Sequence, residues 1–139
     1  MAVSQKDKAA AFWALHQGQT FVIANAWDGG SARIFAGLGF KAVASSSGAQ
    51  AGTLGRRDGK VTRDEALAHC AVIVGATDLP VSADLESGFG DSAKDVAETY
   101  RRAAAIGLVG ATIEDALQAA MANEAVLASV ASGHWEPVG

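Results

Sequence analysis

The sequence is poor in several residue types, and each shortage excludes something. Of 139 residues only one, Cys70, is a cysteine. An internal disulfide framework and a multi-cysteine zinc site are therefore both excluded. Prolines number two, and no Pro- or Ser-rich linker divides the chain, so residues 1–139 read as a single domain. No stretch approaches the ~20 apolar residues that a membrane span requires. The apolar run at 9–15 stops at His16-Gln17 and reads as a helix rather than a secretory leader. Basic residues are in the minority, 11 against 15 acidic, for a formal charge of −4. A non-specific nucleic-acid binder needs the opposite balance. Charged residues make up 19% and hydrophobic ones 50%, the reverse of a disordered composition. With neither membrane nor nucleic acid as a partner and almost no cysteine, a cytoplasmic setting is the simplest expectation.

What is present alternates between two periods. Residues 9–17 suit a helix that Gly18 stops. Residues 20–24 form a short continuous apolar run, as in a strand buried on both faces. Asp28 is placed to cap a helix reaching Leu38, with Gly39 at its end. Residues 41–44 form a weaker second strand, and 45–61 is a Gly- and Ser-rich long loop of the kind usually tied to function. Thr62 and Glu65 form a capping box that opens a helix to about Val74. Strands follow at 79–83 and 108–113, with a helix between them that Asp91 or Ser92 caps and that runs to about Ile106. Residues 116–132 are alanine-rich and helical, and a short tail ends the chain. Strand and helix in repeated alternation predict an α/β fold with a parallel sheet.

Ligands of such sheets sit beyond the carboxyl ends of the strands. Four groups fall there: Asn25 and Asp28; Ser45, Ser46, Ser47 and Gly48; Asp84 and Glu86; Glu114 and Asp115. Carboxylates crowded at neighbouring strand ends need a positive partner. A divalent cation such as Mg²⁺, which takes oxygen ligands and keeps waters, meets that need. The same carboxylates could equally cap helices or pair with Arg and Lys. Ser46, Ser47 and Gly48 offer backbone N–H groups with little bulk, suited to a carboxylate or phosphate, or form an ordinary flexible loop. Gly88-Phe89-Gly90 has the wrong spacing for a nucleotide fingerprint. His16 and His69 fall within helices and read as structural or exposed, and Cys70 as a buried, inert thiol. Arg56-Arg57 beside Asp58 is either an attractor of anions or a solvated pair.

Four motifs are more specific than their spacing: Phe21-Val-Ile-Ala-Asn-Ala-Trp-Asp28, residues 46–58 with Leu54-Gly55, Pro80-Val-Ser-Ala-Asp-Leu-Glu-Ser-Gly-Phe-Gly90, and Gly110-Ala-Thr-Ile-Glu-Asp115. Their order and spacing over roughly residues 10–115 resemble the isocitrate lyase/phosphoenolpyruvate mutase family, in its Asp-x-Glu-x-Gly branch. The resemblance implies the first four units of a TIM (β/α)8 barrel, flanked by N- and C-terminal helices. It implies Mg²⁺ and a small 2-oxo acid or dicarboxylate substrate at the carboxyl face. Asp84, Glu86 and Glu114 would be the metal-site carboxylates, some acting through water. Ser46, Ser47 and Gly48 would grip the substrate's carboxylate and oxyanion, and Asp58 would be the catalytic acidic residue facing the site. The implied activity is a Mg²⁺-dependent lyase or decarboxylase that cleaves a C–C bond next to a 2-oxo acid or enolpyruvate group.

Departures from the family qualify this expectation. Ala116-Leu117-Gln118 stands where lyase members carry a mobile Lys-x-Cys-Gly-His loop, so no cysteine acid/base is available there and decarboxylation or hydrolysis of a small 2-oxo acid gains over citrate-type cleavage. A complete barrel takes about 250 residues, so this chain is expected to form a half-barrel whose activity the shorter length impairs. Residues 116–139 have no fixed place in that scheme; they resemble the helix that closes the family's chains. Exposed sheet edges invite pairing with another chain, which predicts a homo-oligomer. Two other functions compete: a non-catalytic half-barrel remnant that binds a small anion or a partner chain, and a flavodoxin-like binding domain. The second is disfavoured because Asn25-Ala-Trp-Asp28 stands where a phosphate loop would be.

Overall fold

The computed structural model describes residues 3–114. Asp115 and the segment 116–139, read above as a C-terminal helix and tail, lie outside the described residues. Four parallel strands form one sheet in the order β1 (Ala24–Asn25), β2 (Val43–Ala44), β3 (Val81–Asp84), β4 (Gly110–Thr112). The helices are α1 (Gln5–His16), α2 (Gly29–Gly37), α3 (Ser47–Thr53), α4 (Arg63–Ala76) and α5 (Ala93–Ala105). The alternating α/β order expected from the sequence is therefore present. Ala24 pairs with Val43, Val43 with Val81, and Ser82 with Gly110, so consecutive strands are neighbours throughout. Among the described residues, β1 and β4 each have one strand neighbour. No described helix is long and apolar enough to cross a membrane.

Local chemistry explains where the helices begin. Asp28 accepts the Ser31 N–H while Ser31 Oγ accepts the Asp28 N–H, closing a reciprocal cap on α2. Thr62 and Glu65 do the same for α4, as expected, and Ser92 and Asp95 for α5. Gly39 follows α2 at φ +87°, a conformation open to glycine at little cost. Along α5 the buried positions are Val96, Thr99, Tyr100 and Ala103, a 3-4 spacing that turns one stripe inward. The main core lies between the sheet and the helices that follow its strands. Val43, Val81 and Ala83 meet Leu67, Cys70 and Ile73 of α4 and Val96, Tyr100 and Ala103 of α5.

The N-terminal helix closes the opposite end of the sheet from the carboxyl rim. Gln5 Nε2 donates to the carbonyls of Ala104 and Leu108 at 2.8 and 3.0 Å, and buried Lys8 donates through Nζ to Thr77 O at 2.9 Å. These are the carbonyls of segments that lead into β3 and β4. The Phe12 ring lies against Gly110, where a side chain on β4 would otherwise stand.

Two expectations need correction. The strand read at 20–24 pairs only at Ala24–Asn25, and it is not buried on both faces, since Val22 is 72% exposed. The reason is its place at the edge of the sheet: β2 offers a two-residue ladder before it turns at Ser45, and nothing described lies on the other side. The segment 45–61 is not all loop, because residues 47–53 form α3 with Ser46 as N-cap. Its glycines and small residues carry no apolar periodicity to mark a helix.

Candidate functional site

The carboxyl ends of β2, β3 and β4 converge on Asp84. As the last residue of β3 it is held at three atoms. Its N–H donates to Ser45 Oγ at 3.0 Å, its Oδ2 accepts the Ser47 N–H at 2.9 Å, and its Oδ1 accepts the Glu86 N–H at 3.1 Å. Carboxylates accepting backbone N–H bonds are fixed in orientation as well as favoured as anions. Ser45 is buried, and its carbonyl accepts from Asn25 Nδ2 at 2.9 Å, which ties in the end of β1.

Beyond the ladder, β3 and β4 stay in register. Leu85 N–H donates to Thr112 O at 3.1 Å and Glu114 N–H to Glu86 O at 2.8 Å. Glu86 adopts φ +51°. A non-glycine residue there costs of order 1 kcal/mol and is characteristic of sites where geometry is over-determined. Its carboxyl is pushed above its ordinary value, first by burial and then by the negative charges of Asp58, Asp84 and Glu114. Four carboxyl groups from two strand ends and one loop thus share an electrostatic neighbourhood.

Asp58 reaches this neighbourhood from the loop after α3. Its Oδ2 lies 3.3 Å from the point where a Cβ on Gly48 would stand. Only a glycine at 48 lets the carboxylate approach the first turn of α3 without displacement. Arg56 anchors the same loop through Nη1, bonded to both oxygens of Glu65 at 2.8 and 2.9 Å. Neither reading of Arg56 anticipated this ion pair with Glu65; Arg57 is exposed.

The residues expected at the rim divide accordingly. Asp84, Glu86, Glu114 and Asp58 are brought together. Ser46 serves mainly as the α3 cap, accepting the Ala49 N–H at 3.3 Å, and the Ser47 amide is engaged by Asp84. Gly48 lies in the first turn of α3, where N–H groups have no intrahelical acceptor. Asp28 caps α2, and its carboxyl is held below the ordinary range, chiefly by the Ser31 amide. His69 contacts the Trp27 carbonyl through Nε2 at 2.8 Å, a structural role. Cys70 is buried and burial pushes its thiol up, as suits an inert core thiol. Ser45 fell within the strand-end group expected from sequence, but no role was assigned to it there. The signal for it was a hydroxyl at the end of a buried strand.

The donor set at the rim consists of hard carboxylate oxygens. Among the described residues, no three His, Cys, Asp or Glu side chains are grouped as a set that holds a metal ion directly. The donors fit an ion that takes one or two carboxylates and completes its shell with water, as Mg²⁺ does, and not a closed protein cage.

Residues 12–133 match the phosphoenolpyruvate phosphomutase family model. The chain belongs to that family. A solved protein from Burkholderia cenocepacia J2315, described as a lyase/mutase, is 42% identical and superposes with a TM-score of 0.82 over 96% of this chain and 52% of its own. The structure of 2,3-dimethylmalate lyase, a PEP mutase/isocitrate lyase superfamily member, is 29% identical with a TM-score of 0.70 over 81% of this chain and 38% of its own. An uncharacterized protein of Mycobacterium tuberculosis is 31% identical over 115 residues, 82% of this chain and 43% of its own. The chain thus spans about half the length of these phosphomutase-family relatives. Its four-stranded sheet corresponds to the N-terminal part of their TIM barrel, as the sequence motifs implied.

Proposed function

We propose that this chain carries the metal- and substrate-binding rim of a Mg²⁺-dependent lyase or decarboxylase acting on a small 2-oxo acid or dicarboxylate. The observation that supports this most is the gathering of Asp84, Glu86 and Glu114 at two adjacent strand ends with Asp58 from the loop after α3, Glu86 being raised by burial and by the other three. Unbalanced negative charge of that kind is characteristic of sites that receive a cation.

Asp84 and Glu86 would hold Mg²⁺, with Glu114 acting through water. When bound, the ion supplies Lewis-acid stabilisation of the negative charge that develops on the substrate's carbonyl oxygen. Asp84 is itself kept in one orientation by the Ser47 and Glu86 amides. The first-turn amides of α3, Gly48 foremost, would donate to the substrate's carboxylate, and the small side chains there admit a planar acid close to the backbone. As the C–C bond breaks, the far fragment departs as CO2 or as a carbonyl compound, and the bonding pair passes into the substrate's carbonyl to give an enolate. A proton then returns to the methylene carbon, and Asp58, whose Oδ2 lies beside Gly48, would be the group to deliver it.

We extend the proposal to assembly. Val22, Ile34 and Leu38 near the open side of β1 are 72%, 61% and 70% exposed, and unpaired edges with apolar flanks favour association with another copy. Light scattering is expected to show a dimer or larger species at micromolar concentration; a clean monomer would count against it.

The test of the activity is pyruvate release from oxaloacetate and related 2-oxo acids, with and without Mg²⁺, for the wild type and Asp84→Ala. Mg²⁺-dependent turnover that the substitution abolishes is expected. Absence of turnover in a folded wild type would favour the non-catalytic half-barrel instead.

A further inference from the structure

We infer that Ser45 is a positioning residue for the Asp84 carboxylate, its hydroxyl replacing a backbone carbonyl at the point where β2 leaves the sheet. The inference rests on the proposed reading of Asp84 as a metal-site residue.

Every polar group of Ser45 is engaged, and the residue is 2% exposed. Its N–H donates to Ser82 O at 3.0 Å, continuing the β2–β3 ladder. In a parallel ladder the next bond would run from the Asp84 N–H to the Ser45 carbonyl. That carbonyl instead accepts from Asn25 Nδ2 at 2.9 Å. The Asp84 N–H turns to Ser45 Oγ, 3.0 Å away, and the Cys70 thiol approaches the same oxygen at 3.6 Å.

The substitution of hydroxyl for carbonyl has a geometric result. It lets the backbone diverge from β3 after Ala44, so that α3 can begin two residues later while Asp84 stays hydrogen-bonded. Segment 45–47 then holds Asp84 at both ends: Ser45 Oγ takes its amide, and the Ser47 N–H reaches its Oδ2. An alanine at 45 would leave the Asp84 amide without this acceptor and loosen the carboxylate by way of its own backbone. Residues that orient a metal ligand typically alter metal affinity 10–100-fold when removed.

The experiment compares wild type, Ser45→Ala and Ser45→Thr in the full chain by two readouts: amide hydrogen exchange at Asp84 and Ser47 followed by NMR, and the apparent Kd for Mg²⁺ alone by titration calorimetry. Ser45→Ala is expected to speed exchange at Asp84 at least ~10-fold beyond the change at core amides of α4, and to weaken Mg²⁺ by about 10–100-fold. Ser45→Thr, which keeps Oγ, is expected to restore both. Unchanged exchange at Asp84 in Ser45→Ala overturns the inference. So does faster exchange with unaltered Mg²⁺ affinity, because the serine would then be merely structural. A wild type that takes up no Mg²⁺, yet shows the exchange difference, refutes the metal reading of the site and leaves the positioning of Asp84 standing. Should Ser45→Ala not fold, Ser45→Cys against Ser45→Thr makes the same comparison with a weaker acceptor, and equal exchange in the two overturns the inference.

Discussion

Placing a methyl group on Gly110 should drive the N-terminal helix away from the sheet. A Cβ built there stands 2.6 Å from Phe12 Cε1, 3.2 Å from Phe12 Cζ and 3.0 Å from Ser82 Oγ. Carbon atoms in contact prefer about 3.5–4.0 Å, so the ring must retreat by about 1 Å. It is not free to do so, since it packs edge-to-face on His16 at 4.6 Å, which packs in turn on Phe21 at 5.0 Å. Overpacking of this kind costs about 1–3 kcal/mol. Alanine is better than glycine within a strand by roughly 0.5–1 kcal/mol, which leaves a net loss of about 1–2 kcal/mol for Gly110→Ala. In a Phe12→Ala background the ring is gone and only the Ser82 hydroxyl, 3.0 Å away, is left to shift. Gly110→Ala should there be neutral or stabilising by about 0.5 kcal/mol, so the sign of its effect inverts. Urea unfolding of the four variants, at constant m value, measures both the loss and the coupling. Additivity within about 0.5 kcal/mol would refute the reasoning, because it would mean that α1 does not press on β4 through Phe12.

Three further outcomes follow from the rim and the caps. Asp84→Ala removes the acceptor of the Ser47 and Glu86 amides and should lower stability by about 1–3 kcal/mol, while the Glu86 carboxyl, losing one repelling neighbour, moves back toward its ordinary value in an NMR titration. Because the folded state raises the Glu86 carboxyl above its ordinary 4.5, its contribution is favourable below that pH and is lost as pH rises through the folded value. Glu86→Gln should therefore stabilise the protein at neutral pH and lose that advantage in acid; a gain independent of pH in thermal melts would contradict the cause assigned. Thr62→Ala should cost about 1 kcal/mol as a lost cap. It should also raise Glu65 part of the way from about 2: the Thr62 amide, which foremost holds it there, survives the substitution, but the hydroxyl that donates to Oε2 at 2.9 Å is lost. Glu65 contributes stability above its ordinary value and loses it as pH falls, so the variant's acid unfolding should begin at higher pH than the wild type's.

The elements most legible in the sequence were those written in neighbouring residues. Thr62 and Glu65 specify their own cap, three residues apart, whatever the rest of the chain does. The strand ends were legible because apolar runs stop there and acidic or small polar residues begin, and this placed Asp84, Glu86 and Glu114 at one rim once the sheet was taken as parallel. The short α3 was less so, because a helix built from Ser, Gly, Ala, Gln and Thr has no apolar stripe to betray it. Arg56 was undecidable because its partner, Glu65, is nine residues away and across a turn.

The sequence by itself determined the alternation of strand and helix, the caps, and the family with its parallel half-barrel, since each depends on local pattern and short-range bonds. The tertiary structure alone decided that Asp84 turns to the Ser47 amide, and that the charges of Asp58, Asp84 and Glu114 are felt at Glu86. Those outcomes depend on strand register and on close approach between segments tens of residues apart. Only the assembled sheet fixes such distances.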